Sequence, residues 1–273
     1  MASASVTTLP DPSIAVQSRL SARFAALRAD GRKALVCYVT AGHPDRAQSV
    51  ALLRGLAAAG ADVIEVGVPF SDPMADGPVI QQSSQIALDQ GMTFTGTLEL
   101  VREAAVDVPI VLFSYLNPII AGGEDALRRA REAGVDGVLV TDLPVGADPV
   151  REQWFGASGL DFVRLVAPTT PLPRMEEIGR HGGGFVYLIS RLGVTGERAT
   201  LPEDLPDTVA RLRAATALPL CIGFGISTPD QARAAADLGD GVVVGSAIVR
   251  AAGRSLEEAV ALVAAMRAAL DAR

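Results

Sequence analysis

Short apolar segments recur along the chain and alternate with longer, alanine-rich segments whose polar and apolar positions have a helical spacing. The apolar segments are continuous rather than alternating, which is typical of parallel strands covered on both faces. The predicted strands are 34–39, 62–67, 109–115, 137–141, 161–166, 184–189, 219–223 and 241–245. The predicted helices between and after them are 47–59, 79–90, 95–105, 123–133, 148–156, 173–181, 203–215, 228–238 and 255–270.

Eight strand–helix units in one chain predict an α/β fold, a (β/α)8 TIM barrel. An additional amphipathic segment at 16–29 is predicted to form an N-terminal helix that closes the bottom of the barrel. The alternative is a doubly wound open sheet, but no Gly-x-Gly-x-x-Gly follows the first strand. Because no linker divides the chain, we expect a flexible tail at 1–15 and one catalytic barrel domain at 16–273.

Composition and charge exclude several classes of function. A net charge of −7 and a pI near 4.9 argue against binding to nucleic acid or to an anionic membrane surface. The apolar segments are too short to span a membrane, and the N-terminus lacks the pattern of a secretory signal. With two histidines, a histidine-rich metal site is disfavoured. Cys37 and Cys221 lie in apolar segments and are predicted to be buried thiols, so we expect a cytoplasmic protein.

The segment 61–81 carries the clearest candidate chemistry. Glu65 interrupts an apolar strand, and Asp76 lies in the loop rich in proline and glycine that follows. Burial of a carboxylate is costly unless it is paired or used, and it raises the pKa toward the range useful for proton transfer. The carboxyl ends of barrel strands face the active site, so these residues predict an acid–base site. The alternatives are an ion pair inside the barrel for Glu65 and a turn or capping role for Asp76.

Glycines after the last two predicted strands indicate a phosphate site. Gly223 and Gly225 follow the seventh strand, and Gly245 with Ser246 follows the eighth. Barrel enzymes often bind phosphate in these two loops, where backbone N–H groups and a helix N-terminus approach the anion. Tight turns would explain each glycine pair equally well, but the two pairs together favour the phosphate site. Near the mouth, Tyr115 and Tyr187 are candidates for the site or for plain packing.

The chain resembles the tryptophan synthase alpha chain family. The segment 65–78 carries the most specific part of the resemblance, which extends over about residues 20–270. Further matching segments, all in order, are 38–42, 115–118, 141–144, 167–170, 187–196, 223–227 and 245–249.

The resemblance implies a lyase that cleaves indole-3-glycerol phosphate into indole and D-glyceraldehyde 3-phosphate by a retro-aldol reaction. It implies that Glu65 handles the protons, that Asp76 accepts the indole N–H, and that Tyr187 orients the substrate. It further implies phosphate binding by Gly196, Gly223, Gly225, Gly245 and Ser246. The residues expected to line the indole pocket are Tyr38, Ile64, Phe113, Tyr115 and Phe224.

The resemblance also implies a partner, a beta chain that carries pyridoxal phosphate, receives the indole, and forms an alpha2-beta2 heterotetramer. No metal or cofactor is expected on this chain itself. The loop at 190–200 is expected to act as a lid, with Thr195 packing near Asp76. Leu192 and the pair Glu197-Arg198 depart from the small residues expected there, which puts the closing of the lid in doubt.

Other functions share part of this pattern. Another phosphate-binding barrel enzyme would have the glycine loops but not Glu65 with the 69–78 loop. A stand-alone lyase that releases indole without a beta chain would have the same site. A non-catalytic activator of the beta chain would have no use for both carboxylates and all the phosphate glycines, which argues against it.

Overall fold

The eight predicted strands form a closed parallel barrel in the order β1 to β8. The computed structural model describes residues 18–189, 202–223 and 225–272. Each strand pairs with the next along the chain, and β8 pairs with β1 to close the barrel. The strands are β1 (Ala34–Thr40), β2 (Val63–Gly67), β3 (Ile110–Ser114), β4 (Gly137–Val140), β5 (Asp161–Val166), β6 (Val186–Ile189), β7 (Leu220–Gly223) and β8 (Gly241–Val244).

Helices surround the barrel. They are α1 (Arg19–Ala29), α2 (Arg46–Ala58), α3 (Pro78–Asp89), α4 (Phe94–Ala104), α5 (Leu116–Ala121), α6 (Ala126–Glu132), α7 (Pro149–Gly156), α8 (Leu172–Arg180), α9 (Leu205–Ala215), α10 (Pro229–Leu238), α11 (Ser246–Ala252) and α12 (Leu256–Asp271). Local sequence explains several starts: Asp45 accepts the Gln48 N–H at the start of α2, and Thr228 forms a capping box with Gln231 at the start of α10. The prediction of a (β/α)8 barrel is confirmed.

The apolar residues form two main layers because successive side chains of a strand point to opposite faces. One layer lies between strands and helices and contains residues such as Ile64, Leu112 and Leu53. The other layer fills the barrel and contains residues such as Val36, Val63 and Val111. Each layer excludes water from one face of the strands, which accounts for the continuous apolar segments in the sequence.

Helix α1 closes the bottom of the barrel, as the sequence predicts. Its buried residues Leu20, Phe24 and Leu27 belong to the same apolar cluster as the barrel interior. The Phe24 ring packs against Phe185, with ring centroids 5.5 Å apart. With the bottom closed by apolar side chains, a ligand enters the barrel from the opposite end, where the loops follow the strands.

Within the part of the chain that the structure describes, no helix is both long and apolar enough to cross a membrane. Cys37 and Cys221 are buried free thiols, as the sequence predicts. The expected tail at 1–15 lies outside the described residues.

Candidate active site

Glu65 lies inside the barrel with both carboxyl oxygens unpaired. It is in β2, level with Tyr38 of β1 and Val111 of β3, and it is fully buried. Among the residues that the structure describes, neither Oε1 nor Oε2 has a hydrogen-bond partner. Burial raises the pKa of this carboxyl to about 8, because the charged form loses its hydration. No ion pair of Glu65 is found in the described part of the chain, and the group can hold or release a proton near neutral pH.

Asp76 lies in the loop between β2 and α3 and is bound by Tyr115. The Tyr115 hydroxyl donates to Asp76 Oδ2 at 3.1 Å and accepts the Ala75 N–H at 2.8 Å. Burial raises the pKa of Asp76 to about 6, and the bond from Tyr115 partly opposes the rise. The Tyr115 ring also packs on Phe70, with centroids 5.1 Å apart. The two carboxyl groups therefore have raised and different pKa values, an arrangement frequent at acid–base sites.

Three further aromatic side chains surround this region. Tyr38 contacts Phe113 edge to face, with centroids 5.1 Å apart. Tyr187, in β6, is buried, and burial followed by the charge of Glu65 raises the pKa of its hydroxyl. A side chain on Gly223 would collide with the Tyr187 hydroxyl, so only glycine fits at this point of β7.

Ile64 lies on the other face of its strand. Its side chain is part of the layer between strands and helices, whereas Val63 belongs to the barrel interior. Because neighbouring residues of a strand point to opposite faces, Ile64 does not line the mouth of the barrel. We therefore leave it out of the pocket in which the sequence placed it.

The two glycine loops of the expected phosphate site are neighbours because β7 pairs with β8. Gly225 has a φ of +84°, a conformation that favours glycine. Gly245 precedes α11, and Ser246 is the first residue of that helix. Gly196, Phe224 and Thr195 lie outside the described residues, so their predicted roles stay predictions.

Sequence reasoning missed the contact between Tyr115 and Asp76. It placed Tyr115 near the mouth, as a site or packing residue and as part of the indole pocket, but not as a partner of Asp76, although β2 and β3 are neighbours and their following loops lie side by side. It also gave no role to Asp142 after the fourth strand, whose Oδ1 accepts the Leu116 N–H at 2.7 Å and holds the start of α5. Both contacts join loops that are distant in sequence, and strand order is the feature that could have indicated them.

Fold and site together define a class: a (β/α)8 barrel with two candidate acid–base groups of raised pKa, Glu65 in β2 and Asp76 in the loop that follows it. Among the described residues, no group of three or more metal-ligating side chains is present. The raised pKa values of the two carboxyl groups suit proton transfer near neutral pH.

Comparison with known proteins identifies the family. The family model described as "Tryptophan synthase alpha chain" matches residues 24–272. The tryptophan synthase alpha chain of Caulobacter vibrioides is 49% identical over 238 residues, which are 85% of this chain and 86% of the relative. A solved chain of Mycobacterium tuberculosis tryptophan synthase has a TM-score of 0.88 at 35% identity, covering 94% of this chain and 99% of that one. The alpha subunit from Legionella pneumophila has a TM-score of 0.85 at 36% identity, with 93% and 98% covered.

The chain belongs to the tryptophan synthase alpha chain family. It is a lyase that cleaves indole-3-glycerol phosphate, and it works with a beta chain. Pyridoxal phosphate belongs to the beta chain, and the alpha chain needs no cofactor of its own.

Proposed function

We propose that indole-3-glycerol phosphate is cleaved at the carboxyl end of this barrel, with Glu65 as the proton-transfer group and Asp76 as its electrostatic partner. The buried and unpaired carboxyl of Glu65 is the observation that carries the proposal. Leaving both oxygens of a carboxyl buried and unsatisfied destabilises the fold, and such a group is explained by a role in binding or chemistry.

The reaction needs two proton transfers. Protonated Glu65 delivers its proton to indole C3, which leaves positive charge on the ring. The resulting carboxylate then removes the proton of the hydroxyl on the carbon attached to C3. As that oxygen becomes an aldehyde, the carbon–carbon bond breaks and its electron pair returns to the ring. Glu65 ends protonated, so one carboxyl with a pKa of about 8 serves both steps.

Asp76 accepts the indole N–H and stabilises the positive charge that develops on the ring. This role requires the carboxylate form, and a pKa of about 6 keeps Asp76 ionised at neutral pH while Glu65 is still protonated. Tyr187 borders the same interior and orients the substrate. The different pKa values thus assign different roles to the two carboxyl groups.

Substrate binding divides between two regions. The phosphate is held by Gly223, Gly225, Gly245 and Ser246, with Gly196 completing the site. The walls of the indole pocket are Tyr38, Phe113, Tyr115 and Phe224, and Thr195 belongs to the lid. The edge-to-face contact of Tyr38 with Phe113 supports an aromatic wall beside Glu65.

The wider setting follows from the same proposal. Residues 16–273 act as one catalytic domain, which assembles with the beta chain as an alpha2-beta2 heterotetramer. Two buried free thiols suit the reducing cytoplasm, where we place the reaction.

An assay of indole release from indole-3-glycerol phosphate tests the proposal. The purified chain is measured alone and with a tryptophan synthase beta chain, and the beta chain is expected to increase the rate strongly. Glu65→Gln should lower kcat by about 10²- to 10⁴-fold, because glutamine cannot transfer the proton. Glu99→Gln, an exposed change on α4, is the matched control and should leave the rate unchanged. Full indole release by Glu65→Gln would overturn the assignment.

A further inference from the structure

Helix α3 begins two residues after Asp76, and one of its side chains binds the Asp76 loop directly. The Gln81 amide Nε2 donates to the Asp76 carbonyl at 2.9 Å and to the Pro73 carbonyl at 3.4 Å. Gln81 is exposed, and holding such a side chain in one rotamer costs conformational entropy. Both hydrogen bonds from the Gln81 amide go to backbone carbonyls of the loop between β2 and α3, which indicates that this loop is held in place.

A second contact fixes α3 itself to the end of β1. The hydroxyls of Ser83 and Thr40 lie 2.7 Å apart, and both residues are buried. Ser83 donates its hydrogen to the Ile80 carbonyl at 2.9 Å, so Thr40 is the donor between the two hydroxyls. The Thr40 hydroxyl is also 3.5 Å from that of Tyr38. These directed bonds connect the barrel mouth to the helix that follows Asp76.

We propose that Gln81 and the Thr40–Ser83 pair are positioning residues that hold Asp76 at the mouth of the barrel. Gln81 fixes the backbone of the loop, and Thr40 with Ser83 fixes the helix from which Gln81 reaches. The inference rests on the proposed role of Asp76 and adds residues that do not touch the substrate.

The loop needs this support because it buries little of its own surface. Ser71, Asp72, Met74 and Ala75 are all exposed. On the inner side, Tyr115 binds the Asp76 carboxylate and the Ala75 N–H. On the outer side, Gln81 binds the carbonyls. A loop held from both sides keeps the carboxylate in one place, and a displacement of about 1 Å in such a group can cost about 10²-fold in rate.

A change in the position of Asp76 should change its pKa, and so the dependence of the rate on pH. The titratable groups whose charges interact with Asp76 are Tyr115, Tyr38 and Tyr187, and burial is the main cause of its raised pKa. The charge of Glu65 in β2 acts on Tyr38 of the neighbouring β1 and on Tyr187 of β6, which does not pair with β2, and Asp142 acts on Tyr115. If the loop relaxes outward, Asp76 regains water and its pKa falls toward the ordinary value. The acidic limb of the rate profile then moves to lower pH.

Gln81→Met is the first test, because methionine keeps the length of the side chain and removes the donor. We expect kcat for indole release to fall about 10- to 100-fold in the full chain, alone and with the beta chain, while KM changes less. The acidic limb should move to lower pH. Gln85→Met is the matched control: Gln85 is exposed one turn later on α3 and donates to Asp89 at 2.7 Å within the helix. It should keep the kcat and pH profile of the unaltered chain.

The buried pair separates positioning from stability. Ser83→Ala leaves the Thr40 donor without its partner, so both the melting temperature and kcat should fall. Adding Thr40→Val removes that unpaired donor and should recover much of the melting temperature, whereas kcat should stay low because the link between β1 and α3 is gone. Thr97→Val removes a buried hydroxyl that donates to the Thr93 carbonyl within α4, and it should leave kcat unchanged.

Asp76→Asn, measured in the same series, distinguishes the possible failures. If it lowers kcat while Gln81→Met and the Thr40→Val/Ser83→Ala pair keep the unaltered kcat and pH profile, the positioning proposal is overturned and the role of Asp76 stands. If Asp76→Asn keeps full activity, the role of Asp76 fails, and the positioning proposal fails with it.

Discussion

At the scale of single residues, Glu65 and Asp76 differ in how their surroundings treat the same carboxyl group. Glu65 has no hydrogen-bond partner within residues 18–189, 202–223 and 225–272, and its pKa is about 8, whereas Asp76 is half-buried, is bound by Tyr115, and has a pKa of about 6. The difference comes from burial, which is complete only for Glu65. Between about pH 6 and pH 8, Glu65 is therefore mostly protonated while Asp76 is mostly charged.

The value of kcat/KM should be highest in this pH range, between about pH 6 and pH 8. Below about pH 6 the rate should fall because Asp76 becomes protonated and no longer stabilises the ring, and above about pH 8 it should fall because Glu65 loses the proton it must deliver. The substrate phosphate also titrates near pH 6. The residual rate of Asp76→Asn is therefore the control, and its acidic limb should be weaker. A flat profile from pH 5 to 9 would contradict these roles.

The sequence alone singles out both carboxylates as candidates, because one interrupts an apolar strand and the other follows in a loop of proline and glycine. It was not enough to place Ile64, which lies next to Glu65 but faces the helices. Nor could it show that Tyr115 binds Asp76, since that contact depends on how two loops fold over the barrel mouth. Residue type and spacing predict an acid–base site, whereas the face of the strand on which a residue lies determines whether its side chain can reach that site.

At the scale of elements, helices with local start signals were predictable, whereas the short helix α5 was not. Helix α3 spans Pro78–Asp89 against a prediction of 79–90, since its proline start and apolar spacing are local features. Helix α5 has six residues, and the side chain of its N-cap residue, Tyr115, makes no capping hydrogen bond. It is held by Asp142, which accepts the Leu116 N–H from another loop, so no local pattern predicts it.

The close fit of β6 against β7 gives a prediction at this scale. Gly223→Ala places a methyl group where the Tyr187 hydroxyl lies, so the ring must move and kcat should fall on the order of 10²-fold. Adding Tyr187→Leu removes the hydroxyl, which would lie 2.4 Å from the new methyl group, together with the ring carbons Cε1 and Cζ, which would each lie 2.6 Å from it, so it should restore the melting temperature but not the rate. Gly156→Ala, at a helical glycine with open space beside it, should change neither. Normal activity of Gly223→Ala would show that Tyr187 has no part in orienting the substrate.

At the scale of the whole molecule, the two ends of the barrel use charge in opposite ways. The mouth keeps the Glu65 carboxyl unpaired. At the other end, buried Asp62 is paired with Arg23 of α1 and with Arg267 of α12, the latter at 2.9 Å, and accepts the Leu35 N–H at 2.8 Å. One carboxylate therefore joins the first and last described helices to the strands.

This separation predicts that stability and activity can be changed independently. Asp62→Asn should lower the free energy of unfolding by about 3 kcal/mol, because Arg23 and the largely buried Arg267 lose a charged partner. Its kcat should stay unchanged, because Asp62 lies at the opposite end of the barrel from the loops that bind substrate. Asp271→Asn is the control: it removes a more exposed partner of Arg267 and should cost less than about 1 kcal/mol. Denaturant unfolding and the indole assay together check this, and a loss of kcat at unchanged stability would show that the two ends are coupled.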